Sequence, residues 1–169
     1  MAAVVAVALG AGPAKAAPAV RIGSRAGIEL RDKADPFVGV DLRLSFLLSP
    51  LTINPAFDYV FDQKRTMYET SINALFHLPL PFRLMTSYVG VGFNVTTFAY
   101  KEVTPDADNS GNRLGLNLVA GACFDVPFAS PFVQVVQQLG ELEHTSLGAG
   151  FVIALNHDDR WNGCGRRAP

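Results

Sequence analysis

The sequence predicts an all-β protein, an eight-stranded up-and-down antiparallel barrel that crosses a membrane. Three observations predict it. Apolar residues alternate with polar or glycine residues over most of the chain, the period of strands whose two faces meet different media. The connections between strands fall alternately into two chemical classes. Finally, the charges inside the strand segments are arginines and carboxylates, whereas Lys15, Lys33, Lys64 and Lys101 lie outside strands or at their ends.

Length and composition set the frame. A chain of 169 residues has room for one domain of ordinary size. Charged residues make up 17% against 49% hydrophobic, a lean charge content for a soluble domain. A net charge of −1 gives no basic stripe for nucleic acid. No apolar run reaches the ~18 residues of a transmembrane helix. Ala3 to Gly12 is a short apolar stretch followed by Ala14-Lys15-Ala16, a small-x-small cleavage pattern. Residues 1–17 are thus expected to be a signal peptide, 18–155 the barrel and 156–169 a C-terminal tail. No Lys or Arg stands between Met1 and the apolar stretch, which points to a start inside a longer signal.

The strongest alternation runs from Leu114 to Leu155. Leu114, Leu116, Leu118, Ala120, Ala122 and Phe124 share one face. Arg113, Gly115, Asn117, Gly121 and Asp125 share the other, interrupted by Val119 and Cys123. In the last strand Leu147, Ala149, Phe151, Ile153 and Leu155 alternate with His144, Ser146, Gly148 and Gly150. The first strand, Val20 to Leu30, sets Ile22, Ala26 and Ile28 against Arg21, Arg25 and Glu29. The second, Phe37 to Phe46, sets Val38, Val40, Leu42 and Leu44 against Gly39, Asp41, Arg43 and Ser45.

In the third, Leu51 to Phe61, Ile53, Phe57, Tyr59 and Phe61 oppose Asn54 and Asp58, and Pro55 weakens the N-terminal half. Thr66 to Leu78 places Tyr68, Ile72, Ala74 and Phe76 opposite Glu69, Ser71, Asn73 and His77. Phe82 to Lys101 places Val89, Val91, Phe93 and Val95 opposite Tyr88, Gly90, Gly92 and Asn94. There Phe98 and Tyr100 break parity, and a bulge near Thr96-Thr97 would restore it. Phe132 to Leu139 is the least regular, with Gln134, Val136 and Gln138 on one face and Gln137 on the other.

Arg31–Pro36, Asp62–Arg65, Lys101–Asn112 and Gly140–Glu143 are charged or long connections. Leu48–Pro50, Leu78–Pro81 and Val126–Pro131 are short, apolar and proline-marked. Alternate turns of an up-and-down barrel lie at one end, and outer-membrane barrels have short periplasmic turns and longer outer loops. The charged set is therefore expected outside. In a soluble lipocalin-like periplasmic barrel, the alternative, apolar side chains would point inward and the charged face would meet water. Arginine suits a closed interior better than a solvated face, because its planar fork holds several carboxylates. Arg21, Arg25, Arg43 and Arg113 are expected to pair with Glu29, Asp41, Asp58 and Asp125, with Glu69 on the same face, and to plug the lumen.

The segments LGLNLVAGACFDVPFASPFVQVVQQLG and TSLGAGFVIAL, with PFVGVDLRLSF and SYVGVGFNV, resemble the bacterial outer-membrane β-barrel domain family. The resemblance is to the eight-stranded transmembrane part of the OmpA and OmpW type and spans most of the chain after residue 17. It implies a Gram-negative outer-membrane location, a monomer, a lipid and lipopolysaccharide surround, and insertion by the barrel assembly machinery. Many such proteins end on a terminal aromatic, whereas Asn156–Pro169 runs past the last strand here.

Candidate chemistry is sparse. His144-Thr145-Ser146 sets an imidazole and a hydroxyl on one strand face, and it resembles the His-x-Ser of barrel lipid A deacylases, with Glu141 or Glu143 as orienter. A lipid-modifying hydrolase would need both on the lipid face, whereas parity points them inward. The expectation is a non-enzymatic structural or interaction role, with no catalytic residue, cofactor or metal. His77 reads as a satisfied polar residue and His157-Asp158-Asp159 as a solvated tail. Gly90-x-Gly92 and Gly148-x-Gly150 precede no helix, so they are packing glycines rather than phosphate loops. Phe57, Tyr59, Phe61, Tyr68, Phe98 and Tyr100 suggest an interfacial girdle. Cys123 and Cys164 form no metal-ligand spacing and are expected to be free thiols, since a disulfide between them would require the tail to fold back to the barrel.

Overall fold

The computed structural model describes residues 19–31, 33–46, 50–78, 84–100, 110–126 and 129–155. The signal-like leader, the tail with Cys164 and most of the longest loop lie outside them. Eight strands follow in chain order: β1 Ala19–Leu30, β2 Ala34–Ser45, β3 Leu51–Val60, β4 Arg65–His77, β5 Met85–Tyr100, β6 Ser110–Phe124, β7 Ser130–Gly140 and β8 His144–Ala154. Each pairs antiparallel with the next, and β8 pairs with β1 from Arg21↔Ala154 to Leu30↔Thr145, closing the barrel. An up-and-down barrel of even strand number brings both ends of the chain to one mouth, here marked by Ala19 and Ala154. The proline-marked turns share that mouth, and the charged turns share the other.

The alternation has the expected physical meaning. Ile72 faces out at 58% exposure, Phe93 at 70% and Leu116 at 50%, and these residues are cross-strand neighbours continuing to Leu139. An apolar belt of this extent on a monomer marks a surface made for lipid or a partner. The shortest strand, β3, has 10 residues. At ~3.3 Å per residue and ~40° tilt it rises about 25 Å, the height of the lipid-facing band of such barrels. Inside, Arg21, Arg25, Glu29, Asp41, Arg43, Asp58 and Glu69 are all buried. A soluble ligand-carrying barrel has the reverse arrangement.

Four local features depart from the sequence reading. No bulge interrupts β5, whose register with β4 and β6 runs unbroken past Thr96 and Thr97. Phe98 accordingly faces inward and joins Phe37, Val60 and Met67 in an apolar cap at the loop mouth. It leaves the girdle, where Tyr59 lies 4.8 Å from Phe61 and 5.3 Å from Tyr68 between ring centroids. All four charged connections are shorter than read, since Ala34–Pro36 belongs to β2, Arg65 to β4, Ser110–Asn112 to β6 and Gly140 to β7.

Pro55 does not shorten β3, but it removes one N–H from the ladder. The β2–β3 pairing skips Leu42 and Arg43, and the Asn54 side chain donates to the Leu42 carbonyl at 2.9 Å instead. Cys123, finally, is buried among Leu75, Tyr88 and Phe132 and is disulfide-bonded rather than free. The other cysteine of the sequence, Cys164, lies outside the described residues.

Candidate functional site

Among the described residues chemistry is concentrated in the lumen, and its geometry follows from register. Arg25, Gly39, Asp58 and Glu69 occupy one cross-strand row on β1 to β4. Arg25 and Asp58 are separated by β2, which presents only a glycine between them. A Cβ on Gly39 would lie 2.1 Å from Asp58 Oδ1, so the missing side chain is what lets the pair meet. Arg25 Nε donates to Asp58 Oδ1 at 2.7 Å, and Nη2 donates to Oδ2. This fork-on-fork contact satisfies both groups at once. Removing an ion from water costs several kcal/mol, and only such full pairing offsets it.

Asp41 links this pair to the next. Its Oδ2 lies 3.9 Å from Arg25 Nη1, and its Oδ1 accepts from Arg43 Nε at 2.8 Å. The Arg43 guanidinium lies 4.2 Å from the Phe132 ring centroid and 5.2 Å from that of Tyr88. Attraction to the ring faces adds to its ionic contact. Tyr88 in turn donates to Gln134 Oε1 at 3.3 Å. Two arginines and two aspartates therefore form one buried network inside the barrel, with two charges of each sign.

Towards the mouth with the chain ends, hydroxyl groups and His77 line the lumen beside Arg21. Arg21 donates to Ser45 Oγ at 3.3 Å, and Asp125 acts on it electrostatically from the barrel rim. Ser45, Thr52 and His77 continue the chain at 2.7 and 2.9 Å.

At the opposite mouth, Glu29 and Glu69 converge with Arg31 and His144. Arg31 Nη2 lies 3.1 Å from Glu29 Oε2 and 3.1 Å from Glu69 Oε1. His144 Nε2 lies 3.9 Å from Glu29 Oε1 and 3.7 Å from Glu69 Oε1. Alternation had assigned both glutamates to the lumen. Their partner Arg31 was missed, because a residue in a turn carries no parity signal.

Arg113 corrects the expected set. β6 pairs with β7 only from Gly115 onward, so Ser110 to Leu114 stand on β5 alone above the wall of the barrel. Arg113 has inward parity but no lumen to enter. It pairs with Glu141 across the rim, at 48% and 58% side-chain exposure. The His-x-Ser pair is also placed. His144 is buried, its Nδ1 lies 3.1 Å from the Leu142 carbonyl, and Ser146 shares its inward parity. Neither is on the lipid face, where an acyl ester would lie.

No protein-family model matches the sequence, and no curated protein sequence matches it significantly. Solved structures do match the fold. The N-terminal β-barrel domain of Pseudomonas aeruginosa OprF aligns with TM-score 0.63 and 16% identity, over 80% of this chain and 97% of that one. Neisserial surface protein A aligns with TM-score 0.63 and 10% identity, over 80% and 96%. Ail, the attachment invasion locus protein of Yersinia pestis, aligns with TM-score 0.51 and 14% identity, over 81% and 96%. The likeness is one of fold: this chain has the closed eight-stranded architecture of bacterial outer-membrane barrels.

Proposed function

We propose that the protein is an integral outer-membrane barrel whose lumen is closed by its own ion pairs. In this reading it serves as a structural or surface-interaction element rather than as a channel or an enzyme. The observation that carries it is the Arg25–Asp58–Asp41–Arg43 network, buried across the middle of a barrel whose outer face is apolar. The mouth marked by Ala19 and Ala154 faces the periplasm, and the opposite mouth faces outward. Lipid and lipopolysaccharide surround the belt, the assembly machinery inserts the chain, and it works as a monomer. A lipid-modifying role for His144 and Ser146 finds no support in their inward placement.

Fractionation with heat-modifiable gel migration tests the location, and planar-bilayer recording tests the plug. The expected result is a detergent-dependent, heat-modifiable protein without large, stable single-channel steps. A chain that stays soluble in the periplasm, or a purified protein that conducts in such steps, overturns the corresponding half.

A further inference from the structure

The geometry points to a second role for the loop-end cluster: we infer that Glu29, Glu69 and His144 bind one divalent transition-metal cation of the zinc class. The three ligand atoms come from β1, β4 and β8 and all lie within 4.8 Å of one another. All three residues are at least nine-tenths buried.

The tautomer of His144 decides what the cluster lacks. A carbonyl oxygen can only accept, so Nδ1, 3.1 Å from Leu142 O, carries the proton. In the neutral imidazole the lone pair is then on Nε2, aimed at two carboxylate oxygens that are also acceptors. At 3.7 and 3.9 Å these contacts are too long for hydrogen bonds. They suit ligands of a shared ion: bonds of ~2.0–2.1 Å in a tetrahedral site set ligand atoms about 3.4 Å apart. The two distances from His144 are a few tenths of an ångström longer than that.

Charge favours the same occupant. The mid-lumen pairs balance, whereas here two carboxylates face the single guanidinium of Arg31. With both carboxylates ionised one negative charge is left over, and unpaired buried charge is costly. The contacts around the three ligands are those that support metal sites. Leu142 O orients the imidazole, and the Thr96 hydroxyl donates to Glu69 Oε1 at 3.0 Å. A cavity of about 20 Å³, lined by all three ligands and by Ser146, gives room for a water as fourth ligand. Arg31 touches Glu29 through Oε2, leaving Oε1 turned towards His144, but it also donates to Glu69 Oε1 at 3.1 Å, so a bound cation must displace that contact and its charge.

The test is to refold the full chain from urea into detergent with zinc, desalt it and measure bound zinc. Cobalt absorption then reports the ligand set. About one zinc per chain is expected in the unsubstituted protein. His144→Ala and Glu69→Gln should weaken binding by about 10-fold or more, since even outer-shell partners contribute that much. Arg31→Gln should tighten it, an effect that a merely structural cluster would not produce. Heat-modifiability shows that each variant is folded. If folded His144→Ala retains as much zinc as the unsubstituted chain, the site is elsewhere and the inference fails. It fails equally if the unsubstituted chain retains none, in which case a proton balances the cluster.

Discussion

Arg25–Asp58 and Arg113–Glu141 are the same chemical pair in two settings. Both arginines lie on the inward parity of their strands. The first pair is 6% and 8% exposed in the middle of the lumen, and the second 48% and 58% exposed on the rim. The difference comes from stagger. At Arg25 both neighbouring strands continue past the residue, whereas at Arg113 β7 has already ended. Alternation therefore fixes the face of a residue, while its depth depends on where the neighbouring strands stop.

The largest expected effect lies on the buried side. Asp58→Ala leaves the Arg25 guanidinium without its bidentate partner, and losing one member of a buried pair costs about 3–5 kcal/mol. Denaturant unfolding in detergent micelles, read by tryptophan-independent circular dichroism, would measure it. Removing the charge on both sides, as Arg25→Met with Asp58→Leu, should recover most of that loss, because nothing ionic is then stranded between them. Should Asp58→Ala cost no more than a rim substitution, the lumen pair is solvated and the contrast collapses.

At the rim the expected effect is small. Arg113→Ala removes an ion pair that water already screens, and exposed pairs contribute about 0–1 kcal/mol. The same unfolding experiment, run at low and high salt, checks it. A loss near that of Asp58→Ala would mean that the overhanging β5–β6 hairpin depends on this contact.

This contrast also separates what the sequence could show from what it could not. The face of most strand residues was legible, because lipid and lumen impose a period of two along the strands. Arg25, Asp41, Arg43 and Asp58 could be placed together on that basis. Phe98 could not, since an inward aromatic at a barrel mouth gives the same local pattern as a shift of register. Arg31 and His144 come together only when β1 and β8 close the barrel, a contact between the two ends of the chain. The disulfide at Cys123 was missed for a related reason: spacing along a strand carries no information about a distant partner.

The smallest effect concerns a third arginine–carboxylate pair, in the β3–β4 turn. Arg65 Nε donates to Asp62 Oδ2 at 2.5 Å, and the Lys64 N–H donates to Oδ1 at 2.8 Å. Burial works to raise the Asp62 carboxyl, but the hydrogen bonds from Lys64 and Arg65 and the Arg65 charge outweigh it and hold it below its ordinary range. A depressed folded-state value means the stabilisation is complete above the unfolded value, about 3.9, and is lost as pH falls through the folded one. Asp62→Asn keeps an oxygen for the Lys64 N–H but has no charge for Arg65 and does not titrate. The pair is part-buried, at 20% and 13% side-chain exposure, so its deficit at pH 7 should be about 1 kcal/mol or less and should shrink towards zero on acidification. Because only the difference between the two proteins is read, the titration of the lumen carboxylates cancels. A deficit unchanged between neutral and strongly acidic pH would place the contribution of Asp62 in the shape of the turn rather than in its charge.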